Sequence, residues 1–310
     1  MRRIAATRIS LAIADYMHVP GRAGTIESIH RSAVNVRWHD HLLTLAHESV
    51  GGLPNGVLVG SPLGLDRIGL AAEMAVHADG ANLLVPAASL GVSLTGATSW
   101  SPAMPVLRGL PRTLRAARAE CALRVAALQA PPIGLGPLLG GLAGRTTAGS
   151  SLVSTAAARL VGIVEALRDG IPNRAVAAAF PLIGLGPGAT PSGDDLLVGL
   201  AAGLAVIDHP LARPFAAGVA LGAAGRTTSL AETFLAHAGR LEFAERVHRA
   251  AVAAVGSDEP EMRAGISAAL AWGASSGADL LVGLLIGIQV DAPGIAWRLR
   301  GLPAEQAVAA

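Results

Sequence analysis

The residues best suited to chemistry stand in one run, Gly184-Leu185-Gly186-Pro187-Gly188-Ala189-Thr190-Pro191-Ser192-Gly193-Asp194-Asp195, directly ahead of the apolar stretch Leu196 to Ile207. Closely spaced glycines let backbone N–H groups converge on an oxyanion, and a helix N-terminus adds roughly half a positive charge. Two carboxylates beside such a cradle would repel the anion unless they hold Mg²⁺ or accept hydrogen bonds from an NH₂-bearing group. The run therefore points to a ligand that carries both an oxyanion and an amide, or that comes with a metal. Asp194 and Asp195 are the expected catalytic pair, and the expected ligands of Mg²⁺ if it takes part. Gly184, Gly186, Gly188, Thr190, Ser192 and Gly193 are the expected substrate-binding residues. A structural alternative stands beside this: a tight turn needs the same glycines, and Ser192 as N-cap with Asp195 at N3 would make an Asp version of a capping box.

An internal echo extends the set. Ser192-Gly193-Asp194-Asp195-Leu196-Leu197-Val198-Gly199-Leu200 recurs as Ser276-Gly277-Ala278-Asp279-Leu280-Leu281-Val282-Gly283-Leu284, and Gly144-Arg145-Thr146-Thr147 recurs as Gly225-Arg226-Thr227-Thr228. Two related helical units are expected, near 144 to 204 and 225 to 288. Arg226, Thr228, Ser276 and Asp279 join the expected substrate-binding residues, because any side-chain clamp on an anion must use Arg in a chain without Lys. The stretch before Ser276 lacks a glycine loop, and Ala278 stands where the first copy has Asp194. Asp194 is therefore expected to be dispensable for folding. Weaker candidates are Arg145, Glu232, His237 and the pair His39 and His41 of His39-Asp40-His41, whose alternation puts both rings on one face of a strand.

These residues need elements to hold them. Residues 1–104 alternate in short strand-like segments, such as Thr25 to Trp38 and Glu73 to Val85 around an Asp79-Gly80 turn. Residues 105–310 carry Ala, Leu, Arg and Val at helical spacing, as in Leu110 to Leu128 and Thr228 to Val255. The expected class is α+β, a β-rich N-terminal part packed on a mostly α-helical C-terminal part. Apolar residues make up 52% and charged residues 15%, which excludes a disordered chain. Aromatics at 3% and scattered basic residues argue against a nucleic-acid partner. All 24 basic residues are Arg, so a Schiff-base Lys, a pyridoxal-phosphate anchor and a P-loop Lys are excluded. A single cysteine, Cys121, and no signal-peptide pattern fit the cytoplasm. The longest apolar stretches fall short of the ~20 residues that cross a membrane.

The run from Gly184 to Gly199 resembles the signature of a bacterial family typified by the AllH subunit of oxamate carbamoyltransferase. Leu94-Thr95-Gly96-Ala97-Thr98-Ser99-Trp100 is similar to that family's Leu-Ser-Gly-Ala-x-x-Trp segment, with Thr95 for its usual Ser, and Ser275-Ser276-Gly277-Ala278-Asp279 is similar to its Ser-Ser-Gly-x-Asp. The resemblance implies transfer of a carbamoyl group between carbamoyl phosphate and an oxamate-like amide or ureido acid, in allantoin nitrogen catabolism. It also implies companion subunits, with a homo-oligomer as the other expected assembly. Two alternatives remain at this stage: a non-catalytic partner subunit, and a metal-dependent amide or ureide hydrolase.

Overall fold

Val34, Val36 and Trp38 alternate with Asn35 and Arg37, the period-2 pattern that places every second side chain on one face of a strand. In the computed structural model, which describes residues 1–17, 22–39, 41–61, 63–146, 149–256 and 258–302, those three side chains lie in the core of a β-unit, residues 1–102. Its strands among the described residues are β1 (Arg2–Ser10), β2 (Ala23–Ile29), β3 (Ala33–Trp38), β4 (His41–His47), β5 (Gly56–Val59), β6 (Ala75–Ala78), β7 (Asn82–Val85), β8 (Leu90–Ser93) and β9 (Thr98–Trp100), with helix α1 (Leu11–Met17) after the first. They form one sheet in the order β5-β4-β3-β2-β6-β7-β8-β1-β9. A further antiparallel pairing of β5 with β1, the strand before the terminal β9, closes the sheet into a barrel. The Asp79-Gly80 turn joins β6 to β7: Gly80 has φ +91°, and the Asp79 carboxylate accepts from the Ala81 and Asn82 amides. A buried polar chain crosses the other face of β3, with Thr44 donating to Asn35 at 2.8 Å and Asn55 donating to Thr44 at 3.0 Å.

Residues 103–310 form the second unit. Its helices are α2 (Arg112–Gln129), α3 (Gly136–Leu142), α4 (Ser151–Arg168), α5 (Pro172–Ala179), α6 (Ser192–Val206), α7 (Ala212–Ala223), α8 (Ser229–Ala238), α9 (Glu245–Val255), α10 (Glu259–Leu270), α11 (Ser276–Ile288) and α12 (Ile295–Arg300). The architecture is α+β. Every residue of α6 is buried, and so is every residue of α11 after Ser276, as expected of helices that are apolar on all sides. No helix among the described residues is long and apolar enough to cross a membrane.

α6 and α11, the helices of the internal echo, pack side by side and parallel through glycines. A Cβ on Gly199 or Gly203 would lie within 3.0 Å of the Leu280 or Leu284 carbonyl oxygen. Reciprocally, a Cβ on Gly283 or Gly287 would strike the carbonyl oxygen of Leu196 or Leu200. The contacts exchange when each α6 residue is replaced by its α11 counterpart, so the pair follows a local two-fold relation. The repeat therefore has a packing cause: only Gly lets the two backbones approach this closely. The segments leading into the helices differ, with α4 and α5 before α6 and α8 to α10 before α11.

Gly199→Ala should therefore cost about 3 kcal/mol, because backbone must move to admit one methyl group. Gly162→Ala in α4, where the new Cβ would meet Ala178 at an ordinary 3.5 Å, should be neutral or stabilising by about 0.5 kcal/mol. Urea unfolding of both variants checks this, and equal stabilities would contradict the close approach.

Candidate functional site

The glycine loop folds back over the start of α6. Gly184, Gly186 and Gly188 adopt φ of +73°, +103° and +107°, a region that favours glycine. At Gly184 a Cβ would also lie 2.7 Å from the Arg226 carbonyl oxygen, so the Gly-Arg-Thr-Thr segment at 225–228 runs against the loop. Thr228 donates to the Ala189 carbonyl and caps α8 by accepting from the Ala231 amide at 3.2 Å. Thr227 donates to Asp194 Oδ2 at 2.5 Å, and the Gly184 amide donates to Asp194 Oδ1 at 3.0 Å. Arg226 lies over the Phe180 ring, 5.6 Å from its centroid. Glu232 accepts from the Gly225 amide at 3.2 Å and so steadies the same turn.

Asp194 is thus a strut between two loops. It is 1% exposed and both its oxygens are engaged. Expected dispensability for folding rested on Ala278 in the second copy, but Ala278 has no such loop pair to tie. The capping arrangement is also corrected: α6 begins at Ser192 with Pro191 as N-cap, α11 begins at Ser276 with Ser275 as N-cap, and neither cap side chain accepts from the first amides of its helix. Asp195 and Asp279 instead face the partner helix. The Ser276 hydroxyl of α11 acts on Asp195 of α6, and the Ser192 hydroxyl of α6 acts on Asp279 of α11.

Burial dominates the electrostatics. It pushes the Asp195 carboxyl up to about 8, against the Ser276 and Thr190 hydroxyls and with help from the Asp279 and Asp194 charges. Asp279 is raised by burial too, opposed by the Leu135 amide and the Ser192 and Ser275 hydroxyls. Asp194 is raised for the same first cause, opposed by Thr227 and Gly184. At neutral pH Asp195 therefore holds a proton and can donate it. Thr190 suits that role, since its Oγ1 lies 3.0 Å from Asp195 Oδ2 and 3.1 Å from Ser276 Oγ, and a hydroxyl can donate to a carboxylate or accept from a carboxylic acid. Asp279 differs, because the Leu135 N–H at 2.6 Å fixes Oδ1 as an acceptor while Oδ2 is buried without a hydrogen-bond partner.

Asp194 spends both oxygens on the loops and Asp195 Oδ2 meets Thr190, so Mg²⁺ at this pair would have to displace those bonds. Among the described residues no group of three or more His, Cys, Asp or Glu side chains could hold a metal ion.

The other candidates lie apart from this cluster or outside the described residues. His237 is 6% exposed and pairs with Glu242 at 2.7 Å; that carboxyl is held below its usual range, the bonds from His237 and Arg240 outweighing burial. Arg145 contributes a backbone bond to the Gly140 carbonyl. His39 has φ +53°, and Asp40 and Thr147 lie outside the described residues.

A second glycine loop escaped the sequence expectation. Gly134-Leu135-Gly136 packs on the start of α11: a Cβ on Gly134 would lie 2.6 Å from Asp279 Oδ1, and one on Gly136 would lie 3.6 Å from the Ala278 Cβ. The signal was present, because Ile-Gly-Leu-Gly-Pro occurs at both 133–137 and 183–187. The second helix does have its glycine loop, delivered from about 140 residues upstream rather than from the preceding segment. Thr227, Leu135 and Ser275 are further members of the cluster that sequence spacing alone did not single out.

Two outcomes follow. A carboxyl whose pKa is raised from 3.8 to about 8 keeps its proton when folded and loses it when unfolded, so its contribution to stability is full below pH 4 and falls as pH rises to 8. Asp195→Asn mimics the protonated form and should flatten that fall, which melting temperatures from pH 5 to 9 will show; parallel curves for wild type and variant would contradict the shift. Asp194→Ala should cost about 2 kcal/mol in urea unfolding, since it strands the Gly184 amide and the Thr227 hydroxyl.

Two family models match the chain. Residues 182–288 match the family described as oxamate carbamoyltransferase subunit AllH, and residues 5–99 match the AllH family N-terminal domain. No curated protein and no solved structure matches it. The first match contains the glycine loop, Asp194, Asp195, the Gly225–Thr228 segment and Asp279, and the second takes in nearly the whole barrel, so the chain belongs to the AllH family.

Proposed function

We propose that the chain works in an oxamate carbamoyltransferase assembly with companion subunits, and that Asp195 moves the proton in carbamoyl transfer. The observation that carries this is the Asp195 carboxyl, buried at the start of α6 beneath a glycine loop and met by the Thr190 and Ser276 hydroxyls, an environment that raises it toward the protonated form. In the direction that consumes oxalurate, an oxygen of hydrogen phosphate attacks the ureido carbonyl carbon, the bond from that carbon to the oxamate nitrogen breaks, the departing nitrogen takes the proton of Asp195, and the proton of the attacking phosphate restores it. In reverse, the oxamate NH₂ attacks carbamoyl phosphate, the leaving phosphate takes the proton of Asp195, and Asp195 regains one from the attacking nitrogen. The Gly186, Gly188, Ala189 and Thr190 amides of the loop supply the anion-binding end, the Gly184 amide and those of Gly193, Asp194 and Asp195 in the first turn of α6 being bonded within the chain, and Thr190 and Ser276 orient the carboxyl.

A non-catalytic role in the same assembly is favoured by one feature: Asp194, Asp195 and Asp279 are all buried. The purified chain, alone and with its companion subunits, should be assayed for phosphate and oxalurate from carbamoyl phosphate and oxamate. Asp195→Asn should lower turnover of the competent preparation by about 100-fold while leaving melting nearly unchanged. A fully active assembly containing Asp195→Asn would assign catalysis to a companion and leave this chain the structural role.

A further inference from the structure

At the far end of α6, about 21 Å from Ser192 at 1.5 Å per residue, lies a cavity of about 430 Å³ that shares no residue with the glycine-loop site. Met104, Val106, Ala205, Pro210, Ala212 and Leu241 form its apolar wall, and Asp208, His209, Arg213 and Arg240 its polar groups. The charges are unbalanced. The Asp208 carboxylate is engaged by Arg108 at 3.2 Å. Arg240 is held in place by Glu242 at 3.0 Å, by the Ala236 carbonyl at 3.3 Å and by His237 Nδ1, 2.8 Å from Nη2, so each of its three nitrogens has a partner and only the second hydrogens of Nη1 and Nη2 are left. Arg213 has no ion pair or side-chain hydrogen bond among the described residues, although it stands at the start of α7, where a cation gains nothing from the helix dipole. His209 is nearly buried and accepts from the Leu211 amide through Nδ1 at 3.1 Å, so in the neutral ring Nε2 carries the hydrogen. Burial favours that neutral form, and nearby Arg115 adds to it against Asp291.

Two walls of the cavity are also set by unusual backbone: Asp208 and Leu241 have φ of +56° and +61° without being glycine. Such residues persist where the surrounding structure fixes them, and here both face one cavity. A pocket with an apolar wall, an unpaired Arg213 and a second guanidinium fixed at its rim matches one ligand chemistry, the imidazole of His209 being turned to Asp291 instead. We infer that this cavity binds a small oxyanion, a carboxylate or a phosphate, carried on a compact apolar body, with Arg213 as its principal clamp. The inference is independent of the carbamoyl-transfer proposal, since no residue is common to the two.

The test is calorimetric titration of the full chain with inorganic phosphate and, separately, with benzoate, for wild type and Arg213→Gln. Saturable binding of at least one probe is expected, weakened about tenfold or more by Arg213→Gln. Preference for benzoate identifies a carboxylate on an apolar body, and preference for phosphate a phosphoryl group. Arg213 is exposed and unpaired, so the variant should melt with wild type, which a thermal scan verifies. Saturable binding of neither probe, or equal binding by Arg213→Gln, would overturn the assignment; phosphate binding that Arg213→Gln leaves unchanged would place the anion at the glycine loop instead.

Discussion

Everything in the helical unit that could do chemistry depends on one contact, the backbone-to-backbone packing of α6 on α11. Gly199, Gly203, Gly283 and Gly287 leave no side chain between the helices, and the helices run parallel. Parallel packing brings two N-termini to the same end, where Ser192 and Ser276 each reach the other helix's Asp. An antiparallel pair, or one spaced by larger side chains, would separate Asp195 from Ser276. The glycines at i and i+4 in each helix are therefore as much part of the site as the carboxyls they align.

The same packing decides the charge state. A helix N-terminus favours an ionised carboxyl by about 0.3–1 kcal/mol, a modest effect that burial easily exceeds. Three carboxyls share this end of the helix pair, and burial is the largest influence on each. They are not alike in what opposes it. Asp194 and Asp279 receive backbone N–H groups, which can only donate and so favour ionised oxygen. Asp195 is met by hydroxyls alone, which serve either protonation state. That difference singles out Asp195 as the carboxyl best able to gain and lose a proton without rearrangement.

Much of this was legible in the sequence, and the gaps have physical causes. The β-rich part followed from strand-like alternation in segments such as Thr25 to Trp38, and two related helical units from the nine-residue echo; closure of the sheet into a barrel and the packing of α6 on α11 did not. Helix capping was misplaced because Ser-x-x-Asp describes a local geometry, whereas these side chains find partners on a neighbouring helix 84 residues away in sequence. The second glycine loop was missed because expectation looked directly upstream of Ser276, while tertiary folding delivers residues 133–137 to that spot. Asp194 looked separable from folding for a related reason. Its partners, Gly184 and Thr227, come from loops whose meeting no spacing rule encodes.

The local two-fold relation separates framework from function. What the two halves share, namely glycine contacts, crosswise Ser and Asp, and an Ile-Gly-Leu-Gly-Pro loop over each helix start, is what any such pair needs to hold together. What they do not share is confined to a few groups. The α6 side has Thr190 beside its Asp and a second carboxyl bracing the loop against Thr227; the α11 side has Ala278 and a backbone amide on Asp279. An amide fixes a carboxyl oxygen as an acceptor, and a hydroxyl does not. The two helix starts are therefore nearly equal in framework and differ in what meets the buried carboxyl, hydroxyls at Asp195 and a backbone amide at Asp279, so only the first can change protonation without losing a fixed donor.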